Sequence, residues 1–485
     1  MKKMLLVLCL FLVGGLIACN EEVTTTEATS ETTTTDSMTA YVNEMNNPYN
    51  VALFVTTDLT TSIGVNFELP DQTNGYLEYA ISGTNSYFRT KANFKEITFK
   101  TADVYLYDVT IYGLVPDTVY EYRVVNKDGS EASDYYQFKT MSSETESHTL
   151  MYLADPQENA EIGYMAYAYS ILSVLEYSDA QIDLAMLPGD VINDNDIRSQ
   201  WNLFFKYSSM FCTSVPLSVA MGNHEMIDVT DPKVNDSEFD GYLNLPDNGP
   251  TYDSFNAVFG DVREGDFDKG KTYSFDYGAA HIVVINTEVY CDATTVCAYN
   301  DIDNVEILHD WIRNDISNSD AEWTIVMLHR GPYSLSYDTY QVRNLLVPVL
   351  EECGVDLVMA GHDHQYSRAI YFEGDLISFA ESDDYTLGTI SLIETSYPKR
   401  DFNNYSSSVG ITYFTSNTSA TKFYGGDKSS QIEVNYAFKG EYPVIPIITI
   451  TEDEISVISY AVVKESPFSI FPEEIVILEE FIITK

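Results

Sequence analysis

The chain has 485 residues, 45% of them hydrophobic, and a formal net charge of −48 from 74 acidic against 26 basic residues. That length accommodates about three structural units, and the apolar share is ample for a core. Such an acidic balance excludes nucleic acid and anionic lipid headgroups as main partners, because both need basic patches. An anionic substrate would have to be held by strong local positive charge.

Met1-Lys-Lys-Met4 followed by the apolar Leu5–Ile17 has the basic start and short core of an export signal, too short to span a bilayer comfortably. It ends Leu16-Ile-Ala-Cys19, which resembles a bacterial lipobox, so residues 1–18 are expected to be removed and Cys19 lipidated. The expected location is extracellular, anchored to the cell membrane. Residues 19–46 are rich in Thr, Glu and Ser and read as a flexible tether.

Residues 47–143 are expected to form an all-β sandwich. Ile63, Val65, Phe67 and Leu69 alternate with small or polar residues, and further strand-like runs follow at Val104–Ile111, Val119–Val125 and Tyr135–Phe138. Leu114-Val-Pro-Asp-Thr-Val-Tyr-Glu-Tyr122 resembles the tyrosine corner of fibronectin type III modules.

After His148 strand-like and helical runs alternate, which predicts parallel β-α units over 147–465. Strands are expected at Thr149–Asp155, Ile182–Asp190, Leu217–Gly222, Thr272–Asn286 and Thr324–Leu328, and helices at Glu161–Tyr177 and Arg198–Phe211. Val305, Leu308, Trp311, Ile312 and Ile316 share one helical face, as do Leu345, Leu346, Val349, Leu350 and Cys353. A polar insertion spans about Ile227 to Gly270. Strands return at Val444–Ile450 and Glu454–Val463, and 466–485 reads as a C-terminal tail. Cys291 and Cys297 suit a local disulfide outside the cell, whereas Cys212 and Cys353 read as buried thiols.

The chemistry gathers at strand ends, where ligands of parallel sheets usually bind. Leu153-Ala-Asp155, Leu187-Pro-Gly-Asp190, Met221-Gly-Asn-His-Glu225, Ile325-Val-Met-Leu-His329 and Gly361-His-Asp-His364 supply two carboxylates, an amide and four imidazoles. Singly, Asp190 reads as a helix cap and His329 as a core histidine. Jointly they are a donor set for two hard or borderline cations, with a carboxylate to bridge ions roughly 3.5–4 Å apart.

In this order the motifs resemble the calcineurin-like metallophosphoesterases. The fibronectin-like module ahead of them, with Asn223, His224 and Glu225 in one run, narrows the resemblance to the purple acid phosphatase-like branch. It implies a four-layer α/β sandwich behind the β-sandwich. Asp155 and His364 would hold one ion, Asn223, His329 and His362 the other, and Asp190 would bridge them. His224 would act as general acid, with Glu225 steadying it. Two positions depart from the pattern: Asn193 stands where the branch has a tyrosine, and Asp155-Pro-Gln157 replaces Asp-x-His. Gln157 and Asn193 are therefore candidates for an amide oxygen or a water contact. A histidine that contacts substrate in relatives has no counterpart after Arg330, which leaves Arg330 and Tyr333 as candidates.

The resemblance implies a colourless enzyme with two ions of iron, manganese or zinc, acting on phosphate esters through a metal-activated water. A phosphomonoesterase is the expected function. The alternatives are a phosphodiesterase or nucleotidase on the same core, and a catalytically silent surface-binding protein.

Overall fold

The computed structural model describes residues 45, 47–70, 72–99, 102–143, 147–195, 197–225, 255–260, 267, 270–290, 302–337, 339–377, 403–424, 432, 434–438 and 440–485. The export segment with Cys19, nearly all of the tether, most of the 227–270 insertion and the Cys291–Cys297 pair lie outside these residues.

Two large sheets face each other. One has eleven strands and holds His148–Tyr152, Leu184–Leu187 and Leu217–Val219 in parallel register at its centre. The other carries Ala280–Ile285, Trp323–Arg330, Leu357–Gly361 and Ile411–Thr415, also parallel. Period-two side chains make both possible. Ile282 and Val284 enter the core between the sheets with Tyr152 and Met186, while Val283 and Ile285 pack outward with Leu308, Ile312, Leu346 and Leu350. Those last four lie on the helices Ile302–Ser317 and Tyr340–Glu352, which cover the second sheet. With Glu161–Ser178 and Arg198–Cys212 against the first sheet, the order is helix, sheet, sheet, helix.

Two strand expectations change. Thr272–Asn286 is a hairpin, Tyr273–Tyr277 with Ala280–Ile285, because Gly278 takes φ +59° and turns the chain. The expected tail contains the strand Glu474–Thr484, which pairs with Glu454–Val463 and buries Leu478, Phe481 and Ile483.

The N-terminal module has its own four-stranded sheet, Phe88–Lys91, Gly75–Ile81, Val119–Asn126 and Tyr136–Lys139. Its corner is closed by the Val115 N–H, which donates to the Tyr120 hydroxyl at 2.9 Å. Its other strands continue the eleven-stranded sheet: Ala52–Phe54 lies parallel to Leu217–Val219, with Phe54 opposite Leu217. Tyr122 Oη donates to Thr213 O at 2.7 Å and Asn50 Nδ2 to Asn202 Oδ1 at 2.9 Å, so the module is fastened beside the strand that leads to Asn223.

Candidate metal centre

Five strand ends converge where the two central sheets meet. Asp155 follows His148–Tyr152, Asp190 follows Leu184–Leu187, and Asn223-His224-Glu225 forms a short 3-10 turn after Leu217–Val219. His329 ends Trp323–Arg330, and His362 and His364 follow Leu357–Gly361. The turns are sharp: Asp155, Asp190, His362 and His364 take φ of 45°, 50°, 70° and 49°. Non-glycine residues persist there only when surrounding bonds over-determine them.

Those bonds are present. The His362 N–H donates to both oxygens of Asp155 at 3.0 Å, and the His224 N–H donates to Asp190 Oδ1 at 2.9 Å. The glycines in the motifs are dictated by contact. A Cβ on Gly222 would lie 2.2 Å from Asp190 Oδ1, and one on Gly361 would lie 2.7 Å from Asp155 Oδ2.

The donor atoms form two groups that share a carboxylate. Asp190, His329 and His362 present ligand atoms within 4.8 Å of one another, as do Asp155, Asp190 and His364. Asn223 Oδ1 stands 3.1 Å from His329 Nε2 and so joins the first group. The imidazoles are aimed from behind. His329 Nδ1 donates to Pro188 O at 2.9 Å, and His364 Nδ1 donates to Lys422 O, turning each Nε2 inward.

Electrostatics fit the same donor set. Burial pushes Asp155 up to about 7. Burial also works against the charge on Asp190, but His329 and His224 outweigh it and hold this carboxyl well below the usual range. His329 is in turn drawn up to about 9, mainly by Asp190 against its own burial. Burial lowers His364 to about 3 and, helped by Arg330, lowers His362 strongly. With Asp155 pushed up by burial and His362 and His364 held neutral, His329 is the one imidazole of the ligand set drawn toward its charged form, and a pair of cations would supply the positive charge these two buried carboxylates lack.

His224 stands at the edge of the cluster and is partly exposed. Its Nδ1 donates to Asn193 O at 2.6 Å, leaving Nε2 3.9 Å from Asp190 Oδ2. Glu225 does not support this imidazole. Its fully buried carboxylate accepts the N–H groups of Gly222, Asp190 and Val191 at 2.8, 2.9 and 2.8 Å, so it fixes the backbone of the shared ligand. Burial, with Asp190 nearby, pushes Glu225 up to about 8.

The four further candidates separate. Gln157 reaches the cluster: Nε2 donates to Asp190 Oδ2 at 2.9 Å and lies 3.1 Å from His364 Nε2, while Oε1 accepts from Lys422 Nζ at 2.7 Å. Asn193 Oδ1 also accepts from Lys422, at 3.0 Å. Arg330 lies on the opposite side, Nη1 3.0 Å from His362 Nε2 and Nε 2.7 Å from Glu288 Oε1. Tyr333 packs instead in the core beneath the outer helices, stacked on Tyr371 at 3.8 Å between ring centroids. Tyr337 and Tyr424 stand at the cluster, 4.4 Å from His362 and 4.1 Å from His364 between ring centroids.

Lys422 and Tyr424 carry no motif and are remote in sequence from every ligand. The one signal was Ser416-Asn-Thr-Ser-Ala-Thr421, a polar run directly after the buried strand Ile411–Thr415, which marks another strand end on the same edge.

Both halves of the chain are similar to known proteins. Residues 148–366 match the calcineurin-like phosphoesterase family and residues 48–140 match the purple acid phosphatase N-terminal domain. The chain is 23% identical over 298 residues to purple acid phosphatase 23 of Arabidopsis thaliana, covering 54% of this chain and 57% of that one. It is 28% identical over 231 residues to an acid phosphatase of Aspergillus ficuum, covering 35% and 36%. The chain spans about half the length of the curated relatives it matches, 57%, 55% and 49% for three of them. The structure of the purple acid phosphatase PPD1 from yellow lupin (Lupinus luteus) seeds superposes with a TM-score of 0.65 at 16% identity, covering 90% of this chain and 74% of that one.

Proposed function

We propose that this chain, which joins a purple acid phosphatase N-terminal domain to a calcineurin-like phosphoesterase domain, hydrolyses phosphate monoesters outside the cell while held to a membrane by a lipid on Cys19. The observation that carries the reading is the sharing of Asp190 between two buried ligand groups, with the His224 imidazole at their edge. The residues suit two ions of iron, manganese or zinc.

Asp155, Asn223, His329, His362 and His364 would hold the pair and Asp190 would join them. When bound, two such ions supply Lewis acidity and a water of lowered pKa. The rest falls to the chain. Glu225 and the positive-φ turns hold Asp190 and Asp155 in place before substrate arrives, so no reorganisation is needed during reaction. His224, oriented by Asn193 O, turns Nε2 toward the cluster and would pass a proton from it to the departing ester oxygen. His362, made neutral by burial and by Arg330, stays free of a competing proton.

The basic start, the short apolar core and the Leu16-Ile-Ala-Cys19 run support the location, because acyl chains on a cysteine bind a bilayer through their buried methylenes. The test is metal analysis of the purified protein together with hydrolysis of p-nitrophenyl phosphate and its bis ester. About two ions per chain and faster monoester turnover are expected. Faster diester turnover would replace the reading with a phosphodiesterase, and fewer than about one ion per chain with no turnover would favour a silent binding protein. For the anchor, Cys19→Ser should move the protein from the membrane fraction to the medium. Retention on membranes would refute lipidation.

A further inference from the structure

Lys422 reaches the cluster on a loop fastened to the turn that carries Asp155. Thr418 Oγ1 donates to Asp155 O at 2.7 Å, the Ser419 N–H to Ala154 O at 2.7 Å, and the Thr421 N–H to Glu158 Oε1 at 2.8 Å. The Lys422 ammonium then donates to Gln157 Oε1 and Asn193 Oδ1 at 2.7 and 3.0 Å, and stands 3.5 Å from His224 Nε2. The two oxygens that accept from it belong to neutral amides.

Among the described residues no carboxylate forms an ion pair with this ammonium. Asp190 and Asp155 act on it only through space and belong to the ligand groups. Glu158 is engaged by Thr421, and Asp194 by Asn193 and Gln200. Arg330, the other cation touching the ligand set, is in contrast clamped to the buried Glu288. Lys422 is therefore a half-buried ammonium fixed in direction by two amides, paired with no carboxylate among the described residues, and with one N–H left beside the proposed proton donor. In a chain of net charge −48, a cation fixed at the ligand cluster is the local attraction an anionic substrate requires.

We propose that Lys422 binds a non-bridging oxygen of the substrate's phosphoryl group beside His224, and that this contact sets a preference for monoesters over diesters. The inference rests on the phosphoesterase reading above. A monoester dianion carries three oxygens free of carbon and a second negative charge. A diester replaces one of those oxygens with an ester oxygen and carries a single charge, so the ammonium gains less from it. The amide partners matter as well: Gln157 and Asn193 hold the ammonium without cancelling its charge, which a carboxylate at either position would do.

The experiment compares the metal-loaded wild type with Lys422→Met and Lys422→Arg. It measures kcat and KM for p-nitrophenyl phosphate and for its bis ester, calorimetric binding of inorganic phosphate, and metal content. Loss of one charge-assisted hydrogen bond predicts that Lys422→Met lowers kcat/KM for the monoester by about tenfold or more, with the bis ester falling much less. Phosphate binding should weaken by a similar factor, metal content should stay at the wild-type value, and Lys422→Arg should recover part of both losses. An equal fall on the two esters, unchanged phosphate binding, or a loss of metal in Lys422→Met would each overturn the assignment. Should the wild type hydrolyse neither ester, the phosphoesterase reading fails, and the phosphate titration alone still decides whether Lys422 is an anion-binding residue.

Discussion

Glu225 Oε2 accepts the backbone N–H of Asp190 at 2.9 Å, and the same carboxylate takes those of Gly222 and Val191. One buried side chain thus ties the second strand-end turn to the third. Glu225→Ala would leave three buried N–H groups without acceptors, at a cost on the order of 3 kcal/mol or more. The expected result is a lower melting temperature together with reduced metal content, because Asp190 is no longer held. Glu225→Gln keeps an acceptor oxygen and should fall between. Wild-type stability and metal content in Glu225→Ala would refute this role.

Gly222 gives a second route to the same failure. Its added Cβ would meet Asp190 Oδ1 at 2.2 Å and the Asp190 nitrogen at 2.5 Å, and backbone cannot yield as a flexible side chain would. Gly222→Ala should therefore lose bound metal and turnover, read by elemental analysis. Gly354→Ala, where a Cβ meets nothing within 4 Å, should leave metal content alone and cost only the strain of its φ of +69°.

Asp190→Asn and His224→Ala should part company. Both should abolish most turnover, but only Asp190→Asn should also release metal. General acid catalysis typically contributes about 10²–10⁴-fold. That loss in His224→Ala should be largest for alkyl phosphates and smallest for p-nitrophenyl phosphate, whose leaving group needs no proton. Equal losses across leaving groups would remove His224 from the acid role.

His281 predicts a pH dependence of stability far from the ligands. Its Nδ1 lies 2.7 Å from Asp276 Oδ1 and its Nε2 3.0 Å from Asp315 Oδ2. Burial opposes its charge, yet the two carboxylates raise it from 6.5 to about 9. Since the folded value is the higher one, the stabilisation is complete below about pH 6.5 and is lost as pH rises through about 9. Discounted for the exposure of Asp276, it amounts to on the order of 2 kcal/mol. Urea midpoints at pH 6 and pH 10 should differ in the wild type and converge in His281→Gln. Parallel profiles would reject the assignment.

Much of this was legible in the residues because the chemistry sits at strand ends, and buried strands announce themselves as apolar runs. Asp155, Asp190, Asn223, His329, His362 and His364 each close such a run. The hydrogen bonds of Glu225 are not legible, since nothing in Gly222-Asn-His-Glu225 tells whether the carboxylate faces the imidazole or the preceding turn. For Tyr333 the residues are ambiguous, since a tyrosine near a ligand in sequence has a core-facing alternative, here the contacts with Tyr371 and Tyr413. Lys422 lies 58 residues beyond His364, so only the pairing of Leu357–Gly361 with Ile411–Thr415 brings it to the cluster. The hairpin at Gly278 was hidden because one glycine inside an apolar stretch does not distinguish a turn from a flat strand.

Because Phe54 is hydrogen-bonded in register with the strand holding Leu217, the N-terminal module is not a passenger that could be cut away. Its excision would uncover a row of backbone donors and acceptors just upstream of Asn223, an edge ready to recruit another chain. A truncated catalytic half should come out of the cell as aggregate, whereas the two halves made as separate polypeptides and mixed during refolding could still find each other along that seam.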